Sequence, residues 1–198
     1  MKPDVVVLAE GGKACIPEIP GINNKNVIKS SDLYGLLKFY LRFLGPKLLR
    51  SLTRIWMPVG NRVVIIGGAI QGCQLAEFLV KRGRSVTIVD EGKEPGEGLA
   101  PERKTRLFAW FRKKGVKMIL GVKLEEITDR GLVIISADGK KQLLEADNII
   151  PALPFIAGDA LLKELEGSVP EIYAIGDCIN PAIIPDAIAG GWKIGNKL

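Results

Sequence analysis

An α/β fold built on a parallel sheet is predicted by three features of the sequence. Two largely apolar runs, Arg62-Val-Val-Ile-Ile66 and Ser85-Val-Thr-Ile-Val-Asp90, read as strands buried on both faces. A glycine turn, Gly67-Gly-Ala-Ile-Gln-Gly72, follows the first run directly. Helical apolar spacing from Cys73 to Arg82, closed by Gly83, lies between the two. Strand, crossover and strand within about thirty residues make a βαβ unit, whose strands are parallel and whose crossover is right-handed.

The remaining elements follow in order. Asp4-Val-Val-Val-Leu-Ala9 is a short β-branched run ending at Gly11-Gly12, a further buried strand. The loop Ile16-Pro-Glu-Ile-Pro-Gly21 continues neither a helix nor a central strand, because its prolines lack the backbone donor. Ser31-Asp32 is an N-cap signal for a segment over 33–58 with cations at helical spacing, broken at Gly45-Pro46 into two short amphipathic helices. After the βαβ unit, a Gly/Pro-rich loop from Gly92 to Pro101 leads to a helix over Glu102 to Lys114 and a strand over Val116 to Leu120. Short alternating strands near Leu124 to Thr128, Leu132 to Ser136 and Gln142 to Glu145 form a β-meander, with Ala137-Asp-Gly139 as a turn. Asn148-Ile-Ile-Pro-Ala152 is one more apolar run, stopped by Pro154. Glu171 to Ile175 is a last strand, followed by Gly176-Asp177 and a helix from about Pro185.

Composition narrows the chemistry. With 198 residues, 47% apolar and 25% charged, the chain is globular and large enough for one domain or two small ones. It contains no histidine, which excludes an imidazole base, a Ser-His or Cys-His dyad and a His-ligated metal within this chain. Cys15, Cys73 and Cys178 form no redox pair and no metal spacing, so no metal ligand is expected, and they suit a reducing cytosol. Cys73, just after the glycine turn, is either a small buried hydrophobe or a low-pKa thiol at a helix start. The net charge of +6 is matched by six cations between Leu33 and Ala76, where there is no acid. A local basic segment of this kind points to a covering or interdomain helix pair, ahead of a membrane surface and well ahead of nucleic acid. No apolar run reaches the length of a membrane-spanning helix, and a cytoplasmic protein is expected.

The βαβ unit with its glycine turn and terminal acid is the Rossmann arrangement. Gly67, Gly68, Ala69, Ile70, Gln71 and Gly72 are the candidate cradle for the pyrophosphate of a nicotinamide dinucleotide. There the helix amides and dipole stabilise negative charge. Gly67 makes the tight turn and Gly72 allows close helix–strand packing; Ala69 stands where the middle glycine is usual. Asp90, 23 residues after Gly67, ends the second strand where a carboxylate accepts hydrogen bonds from a ribose 2′-hydroxyl. Glu91 adds a second acid that repels a 2′-phosphate, so NADH is expected over NADPH, with Lys93 as the residue that opposes this.

The stretch from Pro58-Val-Gly-Asn-Arg-Val-Val-Ile-Ile-Gly-Gly to Val86-Thr-Ile-Val-Asp-Glu-Gly-Lys-Glu-Pro-Gly-Glu-Gly resembles the nicotinamide domain of two-dinucleotide flavoprotein reductases. Within that group it is most similar to the C-terminal part of the NADH:flavin oxidoreductase family, the 2-enoate and 2,4-dienoyl-CoA reductases. Asp4-Val-Val-Val-Leu-Ala-Glu-Gly11 resembles the family's Ala-Thr-Gly strand, and Tyr173-Ala-Ile-Gly-Asp-Cys178 its second flavin motif. The resemblance implies an NAD(H)-binding Rossmann domain over 59–153, inserted in a partial FAD-binding domain made of 1–32 and 154–198. Ala9, Gly11, Gly176 and Asp177 then face FAD, with Asp177 on the ribitol. It also implies a fragment whose FMN barrel and iron-sulfur site lie in upstream domains, so that no catalytic side chain is expected here. Glu10, Gln74 and Pro154 depart from the family's pattern. The competing readings are a dinucleotide-binding module without catalysis, and a degenerate domain kept for interdomain contacts.

Overall fold

A computed structural model describes residues 3–29, 53 and 57–198. The expected basic helices fall on residues outside this range and on the isolated Thr53. The chain divides into two units, residues 16–153 and residues 1–15 with 154–198.

The larger unit is built in three layers, and the alternation of one strand explains why. Strand β2 (Arg62–Ile66) sits in a four-stranded parallel sheet with β3 (Ser85–Asp90), β4 (Lys117–Leu120) and β8 (Asn148–Pro151), in the order β4-β3-β2-β8. Successive side chains of a strand point to opposite faces. Val63 and Ile65 therefore face helices α1 (Ile70–Val80) and α2 (Pro101–Lys114), packing with Cys73, Ala76, Leu79, Leu107 and Phe111. Val64 and Ile66 face the other way, onto a three-stranded antiparallel meander of β5 (Lys123–Thr128), β6 (Gly131–Ile135) and β7 (Lys141–Glu145). There they meet Leu124, Ile127, Leu132 and Ile134. Both faces being covered is what the unbroken apolar run anticipates.

Local signals stop the elements where the sequence indicates. Pro101 opens α2 at its first turn, and Gly115 closes it in the left-handed region, φ 72°. Helix α1 begins at Ile70, three residues before the expected start. Gly72 discourages a helical reading there, yet it lies inside the first turn because only a residue without Cβ fits.

The smaller unit holds the parallel pair β1 (Val5–Leu8) and β9 (Glu171–Ala174), a short helix α3 (Ala160–Leu165), a 3₁₀ turn over Gly176–Cys178 and helix α4 (Ile184–Gly195). A backbone pair between Lys13 and Ile156, 2.8 Å in each direction, joins its two chain segments.

One expected boundary differs. Residues 16–28 pack with the larger unit, whereas the resemblance grouped 1–32 with the flanking domain. Ile19, Ile22 and Val27 cover the meander-side core, and Ile28 donates its N–H to Ile149 O at 2.9 Å. The amides of Asn24 and Asn26 donate to Ile127 O and Thr128 O at 2.9 and 2.8 Å. The prolines keep residues 16–21 out of a strand, and the segment is held to the sheet by these side-chain amides together with a short backbone bridge of Val27 to Ile149.

Candidate nucleotide-binding site

The glycine turn is shaped by steric necessity at two positions. Gly67 has φ 116°, donates its N–H to Val89 O at 2.8 Å, and would place a Cβ 2.6 Å from Ala152 O. At Gly72 a Cβ would stand 1.9 Å from Gly67 O, so the helix can approach the strand this closely only through glycine. Ala69 is different. It is the N-cap of α1, with φ −71° and ψ −174°, a conformation open to any L-residue, and it is 8% exposed. The backbone itself does not require glycine there.

The first intrahelical bond runs from Cys73 N–H to Ala69 O, 3.0 Å, so the amides of Ile70, Gln71 and Gly72 precede the helical ladder. Ile70 N–H donates instead to Glu97 O at 2.8 Å, and Gly96 N–H donates to Gly68 O at 2.6 Å. The loop after β3 thus doubles back onto the glycine turn. Sequence reading missed these contacts, since backbone bonds within a Gly/Pro-rich loop leave no side-chain signature. Gln71 Oε1 is buried with no hydrogen-bond partner among the described residues, while Gln74 is exposed.

Asp90 stands at the carboxyl end of β3 beside the turn. One carboxylate oxygen accepts the Gly68 N–H and the other accepts the Gly92 N–H at 2.6 Å. Each oxygen keeps a second lone pair. Glu91 is exposed next to it. The stem of Lys93 runs beside Gly121. Gly67 to Gly72, Asp90 and Glu91 are therefore brought together at the carboxyl edge of the parallel sheet, where α/β folds bind ligands.

Cys73 Sγ donates to Gly68 O at 3.3 Å and is fully buried. Burial pushes its thiol up to about 11; Lys104 opposes this and Asp90 adds to it. The buried-hydrophobe reading holds, and the low-pKa alternative does not.

In the smaller unit, Ala9 and Gly11 follow β1, and Gly176 and Asp177 follow its partner β9. Gly11 and Gly176 have φ 86° and 68°. A Cβ on Gly12 would stand 2.9 Å from Phe155 Cβ. Asp177 is partly buried and accepts the Ala182 N–H at 3.3 Å. Glu10 and Pro154 are both exposed.

The match to known proteins follows the same architecture. The model of the pyridine nucleotide-disulphide oxidoreductase family matches residues 1–191. The chain belongs to this family. It is 28% identical over 197 residues to an NADH oxidase of Thermoanaerobacter brockii, covering 98% of this chain and 28% of that protein. It is 27% identical to a nitric oxide reductase FlRd-NAD(+) reductase of Klebsiella pneumoniae, covering 92% and 48%. Among solved structures, a 2-naphthoyl-CoA reductase superposes with a TM-score of 0.81 at 32% identity, over 99% of this chain and 27% of that one. Histamine dehydrogenase of Rhizobium sp. 4-9 shares the fold, with a TM-score of 0.75 at 16% identity. The chain thus spans between about a quarter and half of the length of these relatives. The match and the shared fold place the chain in the two-dinucleotide flavoprotein superfamily. Among the described residues no helix is long and apolar enough to cross a membrane, and no group of three potential metal ligands is present.

Proposed function

We propose that residues 59–153 bind NADH and that residues 1–15 with 154–198 contribute to an FAD site, within a longer flavoprotein of the NADH:flavin oxidoreductase type. The chemistry supplied by the bound cofactors is hydride transfer from nicotinamide to flavin and, through an FMN domain elsewhere in the polypeptide, reduction of an activated alkene such as an enoyl or dienoyl thioester. The 2-naphthoyl-CoA reductase likeness supports that last step, and the FMN and iron-sulfur groups belong to regions beyond these residues.

The observation that carries the proposal is the joint placement of the Gly67–Gly72 turn and the Asp90 carboxylate. A tight glycine turn that brings helix and strand together, first-turn amides and a carboxylate with spare lone pairs fit a pyrophosphate and a diol. The same carboxylate favours NADH over NADPH. It already holds the Gly92 amide, leaving that donor unavailable to a 2′-phosphate, and with Glu91 it sets two negative charges where the phosphate would lie. In the smaller unit, Gly11 and Gly176 open the backbone beside Ala9 and Asp177, as a flavin ribitol requires.

A second reading is a nucleotide-binding or degenerate module without catalysis, favoured by the commitment of the Ile70 amide to Glu97 O. Flavin retention by the purified chain separates the binding module, and a titration with NADH and NADPH, followed by energy transfer from Trp56, Trp110 and Trp192, separates the degenerate one. Saturable NADH binding with much weaker NADPH binding supports the proposal. Absence of both at millimolar concentration supports the degenerate module.

A further inference from the structure

The segment between β3 and α2 is tied down chiefly by backbone groups, two of its bonds reaching the glycine turn itself. Gly92 N–H binds Asp90, Gly121 N–H donates to Gly92 O at 2.9 Å, Gly96 N–H donates to Gly68 O, and Leu99 packs against the helix-side core. Between the last two anchors, Glu97 turns its carbonyl inward onto the Ile70 amide. Gly96 and Gly98 flank it, both at φ 80°, a conformation that makes such an inward turn cheap for glycine and costly for other residues.

A helix N-terminus recognises an anion through its first-turn amides. Here the first of those donors is already bound to a neutral oxygen. We infer that the 92–100 strap is a latch on the dinucleotide site. In the ligand-free chain the Glu97 carbonyl stands in for a phosphate oxygen on Ile70, and nucleotide binding displaces it by rotation at Gly96 and Gly98. The inference rests on the dinucleotide reading above and adds the control step. A ligand that needs the open strap binds with an affinity lowered by the open fraction, so destabilising the closed strap tightens binding.

Gly98→Ala isolates the effect. Its Cβ would stand 3.1 Å from Ile70 Cγ2, the end of a side chain, and the left-handed backbone strain falls on the closed strap. The expected outcome is NADH binding tightened about fivefold, with a faster association rate, from the strain of one such residue. Gly139→Ala, which places the same left-handed strain in the distant turn after β6 with nothing within 4 Å, should leave binding unchanged. In the unmodified chain, amide exchange by NMR should show Ile70 and Gly96 protected without ligand, and Gly96 losing protection on saturation with NADH. Saturable NADH binding with both amides unchanged, and with no gain in Gly98→Ala, overturns the latch while leaving the dinucleotide reading intact. A gain reproduced by Gly139→Ala also overturns it, because the strain would then not act through the strap. If no form binds NADH, the dinucleotide reading fails and the latch fails with it.

Discussion

Replacing Asp90 by alanine tests structure and recognition in one experiment. Its carboxylate holds the Gly68 and Gly92 amides, and hydrogen bonds to a charged acceptor contribute about 1.5–3 kcal/mol each. Gly92 is exposed and regains water, whereas Gly68 is buried and its donor is left bare. The net loss is therefore about 2–4 kcal/mol, out of a total of roughly 5–15 kcal/mol for a domain. With a urea slope near 2 kcal/mol/M, the midpoint falls by about 1–2 M. The same change removes the proposed ribose partner and one negative charge, so NADH affinity should fall and the preference over NADPH should narrow by roughly tenfold or more. Asp90→Asn keeps one acceptor oxygen, so its urea midpoint lies between those of the other two forms. Urea unfolding followed by far-UV circular dichroism, together with titrations of both nucleotides, measures all of this. An Asp90→Ala chain with an unchanged midpoint would refute the clamp on the turn. An unchanged NADH to NADPH ratio would refute the specificity argument.

Gly72→Ala forces a Cβ to within 1.9 Å of the Gly67 carbonyl, a backbone atom that cannot step aside, and should cost about 3 kcal/mol or more in chemical denaturation. Gly115→Ala meets nothing within 4 Å and should cost only the left-handed strain, about 1–2 kcal/mol, by the same measurement. The Cys73 thiol keeps its proton in the folded chain to about pH 11, while the unfolded chain releases it near 8.5, so the folded state binds more protons between these values. Stability should fall as pH rises through that window, and Cys73→Ala should flatten the fall in denaturation curves taken from pH 8 to 11. Asp147 is held below the usual carboxylate range by the Arg62 N–H at 2.8 Å and the Arg62 guanidinium. The stability it confers is present above its unfolded pKa and lost as pH falls through the lower folded value. Asp147→Asn should therefore flatten the acid limb of the stability profile.

The larger unit was legible because each of its layers leaves a period in the sequence. Val63 to Ile66 read as a doubly buried strand, the meander read as alternation, and Gly67, Gly72 and Asp90 stand at fixed offsets along one βαβ unit. Helix starts were less legible. Ile70 to Gly72 read as turn because propensity penalises glycine, while packing against Gly67 demands it. The attachment of residues 16–28 was hidden for a related reason. Two prolines mark a loop, but nothing in the sequence says which sheet the amides of Asn24 and Asn26 will reach. Long-range side-chain to backbone bonds follow from the fold and not from local pattern, and so does the backbone bond from Ile70 to Glu97.

The two units differ in how much they can support by themselves. Apart from Leu8 and Cys178, the buried apolar residues among those described all belong to the larger unit, which closes two cores around its parallel sheet. In the smaller unit β1 and β9 form only a two-stranded parallel sheet, and α4 leaves Ile184, Ile188 and Trp192 between 67% and 77% exposed. Parallel sheets are stable when both faces are covered and more than two strands pair. Under the proposed function, nucleotide binding rests on the glycine turn and Asp90 and so on the unit that holds its own core. The same proposal rests flavin retention on the unit that does not, which is why NADH titration is the sharper first test of it.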